Sequence, residues 1–310
     1  MSSERVIRVV GSLHMDLVFQ TERFPVPGET LRGTSWLTRP GGKGRNQAAS
    51  AVRFCPKVGM VGAVGDDTFA EDLLTSLTTV GVDTRLVRKV LGDASGVSVA
   101  IIEPGGDSES VIVSGVNLRI PDDIIQAFAH SLRSSDVVIL QNEVSTQTNE
   151  QVAELCARKG TTVILNAAPH REVTPVLRSN VGVLIVNEVE AGHYTGSTPV
   201  SKANAKEAID TLFEQWRAEA VVITLGKDGV VYRRRGEPAR EISACRVPSS
   251  DAHGAGDAFV GALAGRLIET DDFDDAVRFG NAAAAATIAT PFSSRHTIGP
   301  AEVQSFLDRA

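Results

Sequence analysis

The sequence predicts an α/β fold, a doubly wound and mostly parallel sheet flanked by helices, with a small β-sheet lid. Short apolar runs alternate with helical patterns through most of the chain. Several of these runs are followed at once by polar residues, as is typical where ligands bind at the carboxyl ends of parallel strands. Two segments, 17–39 and 96–114, interrupt the alternation, and we expect them to pair into the lid.

Length and composition place the chain among ordinary globular proteins. Its 310 residues are enough for one large α/β domain or two small ones, and since we find no linker, low-complexity tract or internal repeat, we expect one domain over 1–310. A net charge of -7 argues against a nucleic-acid surface, and no apolar run has the length of a membrane span. Cys55, Cys156 and Cys245 lack metal-ligand spacing, so we expect reduced thiols in a cytoplasmic protein.

The first half of the chain has a strand-like run that ends at Gly11, after which the turn-rich stretch 24–30 excludes a long helix. Proline and glycine end the next helical patterns, at Pro56 and Gly81. The residues 104–107 read as a hairpin turn. This half therefore predicts strands at 6–11, 58–64, 97–102 and 110–113, and helices at 45–53 and 68–80.

The second half alternates more regularly, which predicts a parallel, doubly wound sheet. It predicts strands at 137–140, 162–165, 181–186 and 220–225, and helices at 146–159 and 201–217. A hairpin is expected around Gly236. Three more helices are expected, one after Asp257, one at 274–289 and one from Glu302.

The stretch Asp251–Asp257 carries the most chemistry. Gly254 and Gly256 lie where a loop becomes a helix, since Phe259 and the residues four and eight further on repeat on one helix face. Backbone N–H groups at a helix start lack intrahelical partners and favour anions, phosphates above all. The carboxylate of Asp257 beside them is suited to take a proton from a hydroxyl that attacks phosphorus.

Five motifs along the chain together resemble the ribokinase family of ATP-dependent sugar kinases, the PfkB group. They are Gly-Ser-x-x-x-Asp ending at Asp16, Pro-Gly-Glu-Thr at 27–30, Gly-Gly-Lys-Gly-x-Asn at 41–46, Asn-Glu-x-Glu at 187–190 and Gly-Ala-Gly-Asp at 254–257. The resemblance runs from Gly11 to about Thr297. It implies an α/β fold with a β-lid, and a homodimer formed through the lid.

The resemblance also implies roles for single residues. Asp257 would be the catalytic base, with backbone N–H groups of Gly254, Ala255 and Gly256 holding developing charge. The sugar would contact His14, Asp16, Gly42, Lys43, Asn46, Glu143 and Asp251. The nucleotide would contact Asn187, Thr224, Gly226, Gly229 and Asn281. Glu190 would serve Mg²⁺ through water, and a monovalent cation would bind at Asp251, His253, Ile288, Pro291, Ser293 and Thr297.

Several of these roles have competing interpretations. Asn187 and Glu190 also fit a plain helix capping box, and Glu143 also fits a solvated side chain. Arg45 takes the place of a usual alanine. It lies about 100° round a helix from Asn46, so we expect it to point away from the sugar as surface charge.

Other departures bear on the ligands. His14 replaces a usual asparagine and is expected to face the same way as Asp16. His253 also departs from the family pattern, and so does the segment 291–297, which puts activation by K⁺ in doubt.

The expected reaction is transfer of the γ-phosphate of ATP, with Mg²⁺, to a primary hydroxyl of a sugar. D-ribose giving D-ribose 5-phosphate is the first candidate. A ketohexose, a modified or anionic sugar and a nucleoside are alternatives, and a non-catalytic sugar-binding relative is a different class. A Rossmann dehydrogenase is disfavoured because no Gly-x-Gly-x-x-Gly follows the first strand.

Overall fold

A computed structural model describes residues 5–104, 108–197, 199–247 and 252–308. The main sheet has nine strands in the order β13-β12-β11-β10-β9-β8-β1-β4-β5. Its strands are β1 Ile7–Val10, β4 Val58–Val64, β5 Asp83–Lys89, β8 Val137–Gln141, β9 Thr162–Asn166, β10 Val183–Asn187, β11 Ala220–Thr224, β12 Val230–Arg234 and β13 Arg240–Ile242. All pairings from β11 to β5 are parallel, and only β12 and β13 run antiparallel.

Helices cover both faces of this sheet, which is why its central strands are apolar along their whole length rather than alternating. The helices are α1 Lys43–Ala51, α2 Phe69–Thr78, α3 Asp122–Ser131, α4 Thr146–Lys159, α5 Pro175–Asn180, α6 Glu188–Thr195, α7 Ala205–Gln215, α8 Ala255–Thr270, α9 Phe273–Ala289 and α10 Pro300–Leu307. None of the helices described is long and apolar enough to cross a bilayer.

A second sheet of four strands forms from the two segments that interrupt the alternation. Its order is β3-β2-β6-β7, with β2 His14–Gln20, β3 Ser35–Gly41, β6 Gly96–Ile102 and β7 Ser108–Val113. The central pair β2 and β6 is parallel, and both outer pairs are antiparallel. We call this sheet the lid.

The structure confirms the fold class and adds four elements that the sequence pattern did not predict: β5, α3, α5 and α6. Strand β5 was missed because it is an edge strand with several charged, partly exposed side chains. Helix α5 is short, and α6 has no marked apolar face. Helix α3 does bury Ile124, Ile125 and Phe128, so its pattern was available in the sequence.

Candidate active site

The first turns of α1 and α8 meet at the carboxyl ends of the parallel strands. Asn46 Nδ2 donates to Asp257 Oδ2 at 3.3 Å. Asp257 lies in the first turn of α8 because the helix begins directly after Gly254. Gly254 has a φ of 78°, a left-handed conformation that glycine adopts readily.

Close helix packing holds these first turns together. A Cβ added to Gly261 would lie 2.6 Å from Ser50 Cβ, and one added to Gly265 would lie 2.7 Å from Phe54 Cβ. Both glycines share a helix face with Asp257, at steps of four residues. The absence of two side chains therefore sets how near Asp257 comes to α1.

The Asp257 carboxylate is 8% exposed and is held by amides. Asn46 and Gln47 donate to its two oxygens, Gln47 at 2.9 Å. Burial raises the pKa of Asp257, and the Lys43 ammonium and the two amides oppose that rise. A carboxylate with a raised pKa is a stronger base, which suits proton abstraction from a hydroxyl.

Gln47 ties this carboxylate to two strand ends. Its Nε2 donates to both Asp257 and Asn166 Oδ1, the latter at 3.0 Å, and its Oε1 accepts from Gln141 Nε2 at 2.8 Å. All of these side chains are buried. Gln47 was not predicted from the sequence, although its place beside Asn46 and the polar ends of β8 and β9 were visible there.

Lys43 lies among carboxylates at the start of α1. Burial lowers the pKa of its ammonium, but Asp257, Glu143 and Glu190 together raise it above the ordinary value. Glu143 joins the start of α1 to the loop that follows β1, since its Oε2 accepts from Lys43 N at 2.8 Å and from Ser12 Oγ at 2.5 Å. Glu143 is therefore not solvated, and the described lining of the cavities does not include it.

On one side of Asp257 lies a cavity of about 210 Å³, which we call the acceptor cavity. Asp16, Asn46 and Asp257 line it, so it joins the two carboxylates. Asp16 accepts from Ser98 Oγ at 2.6 Å and lies 3.6 Å from Arg39 Nε. The predicted sugar residues Gly42 and Lys43 are outside its described lining: Gly42 precedes α1 with a φ of 90°, and Lys43 lines a different cavity.

On the other side lies a cavity of about 120 Å³, which we call the donor cavity. It is lined by Lys43, Asn166, Ala168, Ile185, Asn187, Glu190, Thr224, Gly254, Gly256, Asp257 and Phe259. Asp257 and Gly254 line both cavities. A group held by Asp257 is thus placed between the two spaces.

Asn187 and Glu190 do form the capping box of α6. Asn187 Oδ1 accepts from Val189 N and Glu190 N, and Glu190 Oε2 accepts from Asn187 N at 2.9 Å. The same residues line the donor cavity, so both interpretations hold at once. Burial raises the pKa of Glu190, while its bond to Asn187 N and the charge of Lys43 lower it.

The first turn of α8 offers fewer N–H groups than expected. Ala255 N donates to Ala252 O at 3.2 Å, so this donor has a partner within the chain. Gly256 and Asp257 follow in the same turn, where helix geometry provides no intrahelical acceptor. Gly256, which lines the donor cavity, is therefore the residue of this turn at which we would expect an anion to bind.

His14 shares a strand face with Asp16 but does not reach the acceptor cavity. Its side chain is 1% exposed and packs against Gly96, where an added Cβ would lie 2.1 Å from its ring. Its Nδ1 lies 3.6 Å from Glu143 Oε2. Burial lowers the pKa of His14, with the two nearby carboxylates opposing, so a neutral ring behind Glu143 is favoured.

Three residues expected at the nucleotide lie outside the described lining of the donor cavity. Gly229 has a φ of 94°, and an added Cβ would lie 2.0 Å from Ile242 O, so the β11–β12 turn requires glycine there. Gly226 also has positive φ, in the turn after β11. Asn281 is buried in α9 and donates to Ser243 O at 2.9 Å.

The residues expected at a monovalent cation do not fit one. Arg295, 7% exposed, donates to His253 O at 2.6 Å and to Thr290 O at 3.2 Å. Two more of the expected carbonyls, Pro291 O and Ser293 O, accept bonds from within the loop. Ile288 lies in the last turn of α9, Thr297 lies at the end of the segment 291–297, and Asp251 lies outside the described residues. The Arg295 guanidinium thus already supplies positive charge at the His253 carbonyl.

The expectation that Arg45 is surface charge was wrong. Arg45 is partly buried, donates to Ser76 Oγ at 3.2 Å and lines the acceptor cavity. The cavity extends along α1, where Asn46, Ala49 and Ser50 also line it, so an angular offset of one residue does not remove a long side chain from it. Arg53 and Arg295 also line the cavity and were not predicted as acceptor residues.

Comparison with known proteins shows the family of this chain. Residues 5–295 match the pfkB family of carbohydrate kinases. The chain is 36% identical to Bacillus subtilis ribokinase over 290 residues, 92% of this chain and 94% of that one, and 30% identical to Haemophilus influenzae ribokinase over 306 residues, 99% of each. The structure of Arabidopsis thaliana ribokinase complexed with ribose and ATP superimposes with a TM-score of 0.88, at 26% identity and 99% coverage of both chains. The chain belongs to the pfkB family of carbohydrate kinases.

Proposed function

We propose that this protein is an ATP-dependent sugar kinase that phosphorylates a primary hydroxyl, with D-ribose as the first candidate acceptor. One observation carries the proposal: Asp257 lines both the acceptor and the donor cavity. A hydroxyl on the acceptor side and a phosphate on the donor side would meet at its carboxylate. The retained base disfavours a non-catalytic sugar-binding relative.

The chain's own groups perform the proton and charge movements. Asp257 takes the proton of the sugar hydroxyl as that oxygen forms its bond to the γ-phosphorus, while the bond from phosphorus to the ADP oxygen breaks. The N–H of Gly256 and the Lys43 ammonium stabilise the charge that develops on the transferred group. Asn46 and Gln47 keep the carboxylate oriented throughout.

The donor cavity fits Mg²⁺. Its ligands would be oxygen atoms, with Glu190 the one carboxylate besides Asp257 among its described lining residues. Mg²⁺ keeps several waters and takes few protein carboxylates when it also binds phosphates. When bound, Mg²⁺ would neutralise phosphate charge, and we expect turnover to stop in excess EDTA and return when Mg²⁺ is added.

The choice of ribose rests on the relatives, because ribokinases from two bacteria match nearly the whole chain. Asp16 and Asn46 in the acceptor cavity supply the acceptors and donors that sugar hydroxyls need. The test is ADP release across pentoses, ketohexoses, sugar acids and nucleosides. ATP consumption dependent on one of these acceptors supports the proposal, and its absence with all of them refutes kinase activity.

A homodimer through the lid is part of the proposal. The lid exposes Trp36, Val111 and Val113, each 64–66% exposed, although apolar side chains of this size are usually covered. A second copy of the chain would bury them. Light scattering on the intact protein should give twice the chain mass, and Val111→Glu should shift it towards one chain mass; a monomeric wild type would refute the dimer.

The free thiols Cys55, Cys156 and Cys245 support a reducing compartment such as the cytoplasm. Burial raises the pKa of each, most strongly that of Cys156, to about 12, so they are poor nucleophiles at neutral pH.

A further inference from the structure

The acceptor cavity is rich in positive charge, although the whole chain carries a net charge of -7. Its described lining combines two carboxylates with four guanidinium groups, those of Arg39, Arg45, Arg53 and Arg295. Neutral sugars need hydrogen-bond donors and acceptors, but they do not need this excess of cations.

Two of the four arginines are accounted for by partners in the chain. Arg39 lies 3.6 Å from the Asp16 carboxylate and stacks over the Phe292 ring. Arg295 holds the carbonyls of His253 and Thr290. These two groups therefore have structural tasks.

Arg45 and Arg53 differ from them. Arg45 donates to two neutral oxygens, Ser76 Oγ and Asn46 Oδ1. Within the described ranges, neither guanidinium forms an ion pair with a carboxylate. Two positive charges thus face one cavity without an ion-pair partner among the described side chains, although the more distant charge of Asp16 also acts on Arg45.

The protein bears a cost for this arrangement. Burial, and then the charge of Arg53, lowers the pKa of Arg45 to about 10. Burial, and then the charge of Arg295, lowers the pKa of Arg53. Partly buried like charges repel each other, and a bound anion would relieve both the desolvation and the repulsion.

The position of Arg45 relates it to the reacting hydroxyl. Arg45 Nη1 donates to Asn46 Oδ1 at 3.3 Å, and Asn46 Nδ2 donates to Asp257 Oδ2 at 3.3 Å. One side-chain amide therefore separates this guanidinium from the base. A molecule with its hydroxyl at Asp257 needs only the length of a small sugar to place another group at Arg45.

We propose that the acceptor sugar carries an anionic group, a phosphate or a carboxylate, bound by Arg45 and Arg53. The inference rests on the proposed kinase function, and it places an anionic sugar ahead of neutral D-ribose as the preferred acceptor. Guanidinium groups bind both anions with paired, charge-assisted hydrogen bonds. The anion takes no part in the reaction: the sugar hydroxyl loses its proton to Asp257, and the γ-phosphoryl group passes from ADP oxygen to sugar oxygen.

The test compares neutral and anionic acceptors that keep a primary hydroxyl free: ribose with ribose 1-phosphate, fructose with fructose 6-phosphate, and glucose with gluconate. We expect at least one anionic member to exceed its neutral partner in kcat/KM by about tenfold or more. In Arg45→Ala and in Arg53→Ala, that ratio should fall by about tenfold. Arg158→Ala is the matched control, because Arg158 is an exposed arginine on α4.

The ratio within one variant cancels any loss of folded protein, so a partly unfolded variant does not obscure the result. Phosphorylation of neutral sugars with no anionic acceptor preferred would overturn the inference and leave the kinase standing. If no acceptor is phosphorylated, the proposed function fails, and the inference fails with it. A separate experiment adds inorganic phosphate to assays with a neutral sugar. If phosphate stimulates turnover in the wild type but not in Arg53→Ala, and no anionic acceptor is preferred, the cavity binds a free anion and the inference is wrong.

Discussion

Gln47 Nε2 donates to Asp257 Oδ1 at 2.9 Å, and the two residues are 210 positions apart in the chain. This one side chain joins Asp257, the proposed base, to the end of β9 through Asn166 and to the end of β8 through Gln141. Because the bond stabilises the charged carboxylate, it opposes the rise in the pKa of Asp257. We therefore infer that Gln47 positions Asp257, the proposed base.

Replacement of Gln47 by leucine should reduce kcat and move the acidic limb of its pH profile to higher pH. The apparent pKa of the base should rise because a bond to the ionised form is lost. The variant should also lose about 1–3 kcal/mol of stability, since buried polar partners are left unpaired. A pH profile of kcat checks the first effect, and chemical denaturation checks the second. Gln126→Leu, at an exposed position of α3, is the control; an acidic limb at the wild-type pH in Gln47→Leu would contradict the role of Gln47.

Replacement of Asp257 by asparagine should lower kcat on the order of 10²–10⁴-fold, because the general base is lost. Sugar binding should be nearly unchanged, since Asn46 and Asp16 remain. Steady-state rates measure the first quantity, and calorimetric titration with the best acceptor measures the second. Asp123→Asn removes an exposed carboxylate from α3 and serves as the control. A variant that keeps more than about half of the wild-type kcat excludes Asp257 as the base.

The same substitution should raise the melting temperature at pH 8. The folded-state pKa of Asp257 is raised by burial, so its contribution to stability is full below the unfolded pKa of about 3.9 and is lost as pH rises through the folded value. Asparagine is uncharged at every pH and avoids that loss. The advantage over wild type should therefore shrink from pH 8 towards pH 4. Thermal melts of both proteins across this range provide the check. An asparagine variant that melts below the wild type at pH 8 but at the same temperature at pH 4 would contradict the prediction.

Arg295 should make the enzyme nearly independent of K⁺. Its guanidinium already bonds the His253 carbonyl, which lies directly before Gly254 at the start of α8. Turnover in potassium chloride should match that in choline chloride. Arg295→Gln removes this charge from the loop and should lower kcat, and a K⁺ effect should then appear if the carbonyls become free to bind it. Strong K⁺ activation of the wild type would show that the loop binds a cation despite Arg295.

Local patterns predicted the base and the lid strands, but not what packs against them. Gly254–Asp257 was recognisable because a glycine-rich loop, an acid and a helix start are adjacent in sequence. Gln47 was missed because its task depends on where α8 crosses α1, which no local pattern encodes. Arg45 was misassigned for a related reason: helix geometry gives an angle relative to Asn46, but the extent of the cavity around α1 is a tertiary property. His14 was placed on the correct strand face, yet Gly96 leaves room for its ring to pack away from the acceptor cavity.

The two glycines of α8 that touch α1 have a consequence for how activity can be lost. A methyl group at Gly261 or Gly265 would require α8 to move away from Ser50 or Phe54, and the displacement would be transmitted along a stiff helix to its first turn. Catalysis tolerates little misplacement, and a shift of about 1 Å can cost 10²-fold. The reaction is therefore vulnerable at positions that never touch a substrate, and a search for inactivating substitutions should find them up to two helical turns from the chemistry.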